Sequence, residues 1–104
     1  MNILIYGSHG WIGKQFTDFL TKNNIKFIEG KERIENELEL EKEILEINPT
    51  NIIGFTGRTH GKIEDKVYTT IDYLEQEGKI LDNVRDNLYG PLNLSFICKK
   101  LGIH

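Results

Sequence analysis

The first thirteen residues constrain this chain more than anything after them. Asn2-Ile3-Leu4-Ile5-Tyr6 is a short apolar run, and it flows directly into Gly7-Ser8-His9-Gly10-Trp11-Ile12-Gly13, three glycines spaced three apart. An amphipathic stretch follows at once. A buried strand, a glycine turn and a helix start in this order form a pyrophosphate cradle. The first glycine makes the tight turn, the second admits the phosphates to the backbone, and the third lets helix and strand pack closely. The helix N-terminus then offers free N–H groups to the anion. The spacing predicts dinucleotide binding through residues 7 to 13: Gly7, Ser8, His9, Gly10, Trp11, Ile12 and Gly13. A nucleoside-triphosphate P-loop is excluded at two positions. Ser8 stands where its first glycine is needed, and Gln15 follows Lys14 where a hydroxyl must bind magnesium.

Alternating elements follow. Residues 2–6 read as a strand buried on both faces, and residues 11–23 as a helix with Ile12, Phe16, Phe19 and Leu20 on its apolar face. Ile25 to Ile28 read as a second strand, and Arg33-Ile34-Glu35 as a very short third. A helix follows from a cap at Asn36 to Ile47, where Asn48-Pro49 stops it. Asn51 to Phe55 form another buried strand, opening into the loop Thr56-Gly57-Arg58-Thr59-His60-Gly61. Residues 62–79 read as loop with one helical turn. From Ile80 the apolar spacing predicts a long helix, with Pro91 inside it as a bend or break. Strands joined by helices imply right-handed parallel crossovers. The expected fold is α/β: a Rossmann-like parallel sheet of about four strands, order 3-2-1-4, with helices on both faces. Gly102-Ile103-His104 reads as the turn into a fifth strand, so the chain is expected to be the first half of such a sheet. The open apolar edge at residues 51–55 is then expected to favour self-association.

Composition narrows the function. With 13 Lys and Arg scattered among 16 Asp and Glu and a net charge of -3, no basic face points to nucleic acid. No apolar run reaches the ~20 residues of a membrane span, and the lone Cys98 suits a packed thiol in a reducing cytoplasm. His9, His60 and His104 lack metal-ligand spacing, so no metal site is expected. Glu29 ends the second strand, where an acid would take the ribose 2′-hydroxyl of NAD. Lys31 and Arg33 stand close enough to meet an NADP 2′-phosphate instead. The two cations tilt the expectation to NADP and leave NAD open.

Several segments resemble one family in order. Gly7-Ser8-His9-Gly10-Trp11-Ile12-Gly13 resembles the G-x-x-G-W-I-G opening of extended short-chain dehydrogenases acting on nucleotide sugars. The likeness is to the rhamnose-pathway epimerase/reductases and dTDP-4-dehydrorhamnose reductases. Gly30-Lys31-Glu32-Arg33-Ile34-Glu35-Asn36 is similar to their G-K-x-R-L-E-D segment. Asn48-Pro49-Thr50-Asn51-Ile52 resembles K-P-T-x-V, Phe55-Thr56-Gly57-Arg58 resembles V-T-G-R, and Asn87 to Leu94 resembles N-x-x-G-T-L-x-L. The likeness spans all 104 residues but only the first part of a family member. It implies that residues 1–104 are the N-terminal portion of an NAD(P)-binding domain. It aligns Asn36 with an adenine-contacting aspartate, and it brings Thr56, Gly57 and Arg58 to the cofactor, Arg58 at a phosphate. A nucleotide sugar is then the substrate of the intact protein. Two departures stand out: Ile53-Gly54-Phe55-Thr56 replaces N-A-A-G, and none of Tyr6, Tyr68, Tyr73 and Tyr89 has the family's lysine four residues later. No catalytic residue is therefore assigned. A non-catalytic dinucleotide-binding module stays open as the alternative.

Overall fold

The computed structural model describes residues 1–104. A parallel sheet of three strands carries helices on both faces. β1 (Ile3–Tyr6) lies in the middle, with β2 (Ile28–Glu29) on one side and β3 (Asn51–Gly54) on the other. All four residues of β1 are buried, as a central strand of a parallel sheet requires. Their side chains alternate between two apolar clusters. Ile3 and Ile5 meet Leu20 of α1 (Trp11–Lys22), with Phe16, Ile53 and Phe55 packed around them. Leu4 and Tyr6 meet Leu40 and Ile44 of α2 (Glu37–Ile47), together with Leu94 and Ile97 of the C-terminal helix. This period of two explains why a nearly continuous apolar run was needed at residues 3–6.

The helix face of α1 differs from the sequence pattern. Gly13, Thr17 and Leu20 are its buried residues, whereas Ile12 and Phe19 stay largely exposed. The small residues let the helix lie close to the turn below it.

Arg33-Ile34-Glu35 forms no strand, which removes the expected outer strand and leaves the order β2-β1-β3. Ile34 instead plugs the gap between α2 and the C-terminal helix at 4% exposure. Its carbonyl accepts a hydrogen bond from the buried Asn93 Nδ2 at 2.7 Å. A side chain thus satisfies the backbone group that a neighbouring strand would have paired. Asn36 precedes α2, but its side chain makes no capping hydrogen bond.

Residues 61–68 form a hairpin where a loop was expected. β4 (Gly61–Ile63) pairs antiparallel with β5 (Lys66–Tyr68), and the turn between them holds Glu64 at φ 53°. A 3₁₀ turn, Ile71–Glu75, follows and buries Tyr73. The long helix from Ile80 is present in three registers: α3 (Ile80–Val84), a π-helical turn (Arg85–Tyr89) and α4 (Gly90–Leu101). Pro91 falls just after the widened turn, at the start of α4, where its missing N–H is tolerated. Beyond α4, His104 meets β3: its N–H donates to the Thr50 carbonyl at 3.3 Å, and its carbonyl accepts from Ile52 N–H at 2.8 Å. No helix is long and apolar enough to cross a membrane.

Candidate functional site

The C-terminal ends of β1, β2 and β3 open toward the same side, as parallel strands must, and the loops that follow them enclose a cavity of about 300 Å³. Gly7 begins the first loop at φ +79°. A Cβ there would lie 2.7 Å from the Phe55 carbonyl carbon, so both the turn and the crossing of the loop after β3 demand glycine. A Cβ on Gly13 would run into the Gly7 carbonyl, which fixes α1 tightly over the turn. Gly10 is different. A Cβ there would find no atom nearer than the Gly7 oxygen, at 3.6 Å. The chain's own packing does not require glycine at 10.

Gly10 stands at the N-cap of α1, no side chain caps the helix, and its first turn carries no acid. The N–H groups of this first turn have no side-chain partner, and the cavity that Gly10 borders also carries Glu32, Glu35 and Asp86 in its wall. Ser8 is buried under the turn, while His9 is exposed and holds Nε2 3.9 Å from Glu29 Oε2 at the end of β2. Trp11, 82% exposed, and Ile12 project outward from the helix start rather than into the cavity wall.

The cavity wall brings together Gly7, Gly10, Arg33, Thr56, Gly57 and Arg58 from the residues singled out in the sequence. Lys31 and Asn36 lie outside that wall. Lys31 contributes its backbone: its N–H donates to Glu43 Oε2 at 3.0 Å, and the Glu32 N–H donates to Glu43 Oε1 at 3.2 Å. Tyr6, buried beneath, donates its hydroxyl to the same Oε1 at 2.7 Å. Burial, reinforced by Glu43, pushes the Tyr6 phenol far above its ordinary range. Glu43 of α2 therefore ties the loop after β2 to the central strand.

Two more polar residues shape the site: Asp86, which the sequence did not single out, and Asn87, which it did. Asp86, in the π-helical turn, receives Arg85 Nε at 2.8 Å and Arg58 Nε at 3.3 Å. Its hydrogen bond with Arg85 holds the Asp86 carboxyl below the usual carboxylate range, and the charges of Arg58 and Arg33 add to this. Next to it, Asn87 grips the backbone of Arg58 on both sides. Asn87 Oδ1 accepts the Arg58 N–H at 2.8 Å, and Nδ2 donates to the Arg58 carbonyl at 3.0 Å. In the sequence Asn87 stands out as the head of the segment similar to N-x-x-G-T-L-x-L, four residues before Pro91; the grip of its side chain on Arg58 is what the structure adds.

No family model matches the chain. Protein L780 of Acanthamoeba polyphaga mimivirus is 47% identical over 104 residues, covering all of this chain and 35% of that protein. The crystal structure of L780, a UDP-rhamnose synthase, matches with a TM-score of 0.91, over 100% of this chain and 35% of that chain. A trifunctional enzyme of Arabidopsis thaliana is 29% identical over 106 residues, covering 99% of this chain and 14% of its own length. It is a UDP-glucose 4,6-dehydratase/UDP-4-keto-6-deoxy-D-glucose 3,5-epimerase/UDP-4-keto-L-rhamnose-reductase. The homologues are rhamnose-pathway nucleotide-sugar enzymes. This chain spans about a third of the viral homologue and a smaller part of the plant one. The fold alone is shared with Bacillus anthracis dTDP-4-dehydrorhamnose reductase in complex with NADP, at 22% identity and a TM-score of 0.74 over 98% of this chain and 33% of that one.

Proposed function

We propose that residues 1–104 are the NAD(P)-binding N-terminal portion of a rhamnose-type nucleotide-sugar epimerase/reductase, a protein that reduces a 4-keto-6-deoxy sugar nucleotide in the cytoplasm. The observation that carries the cofactor reading is Gly10, whose missing side chain leaves space that the protein itself does not fill, beside the uncapped start of α1. The pyrophosphate lies over Gly7, Gly10 and Gly13 in this reading, with Ser8, His9, Trp11 and Ile12 completing the turn. The adenosine end enters the cavity between Arg33 and the Thr56-Gly57-Arg58 loop, with Lys31 and Asn36 at its rim. NADP is the preferred cofactor, because two cations, Lys31 and Arg33, follow the single acid Glu29 at the end of β2. The bound nicotinamide supplies the hydride; these residues bind and orient the dinucleotide. The reductase and epimerase steps are proposed by homology with the mimiviral and plant enzymes.

Titration of NADPH fluorescence tests the cofactor reading. Gly10→Val is expected to abolish binding by blocking backbone approach to the pyrophosphate; unchanged affinity in that variant refutes it. The reaction is tested on the whole protein carrying these residues, by NADPH oxidation in the presence of a 4-keto-6-deoxy nucleotide sugar. A second reading is a non-catalytic dinucleotide-binding module. Binding without any oxidation in the whole protein would support it.

A further inference from the structure

The loop Thr56-Gly57-Arg58 forms one wall of the cavity, and the helical stretch that begins at Ile80 holds it in place. The loop starts hard against the glycine turn: a Cβ on Gly7 would lie 2.7 Å from the Phe55 carbonyl carbon and 2.8 Å from the Thr56 nitrogen. Two neighbours in sequence, Asp86 and Asn87, then fix Arg58. Asp86 Oδ2 takes the guanidinium Nε at 3.3 Å, while Asn87 pairs with the Arg58 N–H at 2.8 Å and its carbonyl at 3.0 Å. A Cβ on Gly57 would come within 3.0 Å of Asn87 Oδ1, so the loop is fitted around this side chain.

Adjacent residues of a regular α-helix point their side chains about 100° apart. Asp86 and Asn87 reach the same residue from within the π-helical turn Arg85–Tyr89. The backbone shows the widening directly. Gly90 N–H donates to the carbonyl of Arg85, five residues back, where an α-helix would use Asp86. The cause lies one residue further on. Pro91 has no N–H to give the Asn87 carbonyl, and in α register its ring would collide with that carbonyl. Widening the turn that precedes it relieves the collision.

We infer that Pro91 is a positioning residue of the dinucleotide site: by keeping this turn wide it holds Asp86 and Asn87 on Arg58, and so fixes the loop that crosses the glycine turn. Pro91 itself lies outside the cavity wall. The ligand named here rests on the cofactor reading above; the path from Pro91 to the loop does not.

The test compares Pro91→Ala, Asn87→Ala and the double variant with the wild type, by residue-resolved amide hydrogen exchange and by NADPH titration. Asn87→Ala removes the acceptor of the Arg58 N–H and sets the scale, about fivefold faster exchange of that amide for one hydrogen bond. Pro91→Ala lets the turn close to α register. It is expected to speed exchange at Arg58 to a similar extent, to leave the amides of β1 unchanged, and to weaken NADPH binding by a similar factor. The double variant is expected to add nothing to either single one. A merely structural role would speed exchange at Arg58 and in β1 alike, and that result overturns the inference. Unchanged exchange at Arg58, additive effects in the double variant, or full NADPH affinity in Pro91→Ala overturns it as well. If Pro91→Ala does not fold, Pro91→Ser carries the same test. A wild type that binds no NADPH refutes the cofactor reading, and the exchange comparison then still decides whether Pro91 sets the loop.

Discussion

The Tyr6 hydroxyl donates to Glu43 Oε1 at 2.7 Å, joining the end of the central strand to α2 under the loop that carries Lys31 and Arg33. The same carboxylate accepts the backbone N–H groups of Lys31 and Glu32. Tyr6→Phe keeps the ring packing and removes one hydrogen bond to a charged acceptor. A loss of about 1.5 kcal/mol of stability is expected, together with weaker dinucleotide binding as the loop loosens. Urea unfolding and NADPH titration check the two effects; an unchanged urea midpoint would show that the contact contributes nothing.

Gly10 and Gly13 separate binding from stability. Gly13→Ala drives a methyl group into the Gly7 carbonyl, with backbone on both sides and no side chain able to yield. Overpacking of this kind costs about 1–3 kcal/mol, so a lowered melting temperature is expected. Gly10→Ala meets nothing closer than 3.6 Å, so it is expected to melt close to the wild type while losing cofactor affinity. Calorimetric melts paired with NADPH titrations read both. A stable Gly13→Ala, or a Gly10→Ala that binds normally, contradicts this division.

What the sequence disclosed follows from how local each signal is. β1, the glycine turn and α1 lie within 22 residues and carry their own periodicity, so they were legible. Ile34 was misread because one apolar residue between two charges looks the same whether it pairs in a strand or plugs a gap. Only Asn93, 59 residues away, decides which. The β4–β5 hairpin gave no turn signal because Glu64, rather than glycine or asparagine, takes the positive φ. In the site, the glycines and arginines were legible as residue types suited to phosphates. Glu43 and Asp86 were two acids among many, and their roles depend on partners brought from distant loops.

Acid should act on stability through Asp86. Its folded pKa is lowered, chiefly by the hydrogen bond from Arg85, with Arg58 and Arg33 also facing it and Glu35 and Asp82 as the neighbouring acids. A depressed carboxylate contributes stability that is fully present above its unfolded value, about pH 4, and is lost as pH falls through the folded value. Wild-type stability is therefore expected to fall with pH below about 4 more steeply than that of Asp86→Asn, which lacks the titrating group. Urea midpoints measured from neutral pH down through this window check it. Parallel slopes for the two proteins would mean that other groups account for the acid sensitivity.

The last prediction concerns the edge of β3. An unpaired apolar strand recruits other chains, and no charged residue lies within Asn51–Gly54. His104 covers part of this edge by accepting from Ile52 N–H and donating to the Thr50 carbonyl, while Ile103 packs against the larger apolar cluster. Removing Ile103 and His104 frees both backbone groups and uncovers apolar surface beside them. The shortened protein is expected to self-associate at lower concentration than the 104-residue chain. Size-exclusion chromatography across a dilution series, with light scattering, measures this directly. A parallel variant, His104→Ala, retains the backbone pairing and is expected to behave as the wild type. If the shortened protein stays monomeric wherever the 104-residue chain does, Ile103 and His104 do not protect the edge. If His104→Ala associates as readily as the shortened protein, the imidazole rather than the backbone provides the protection.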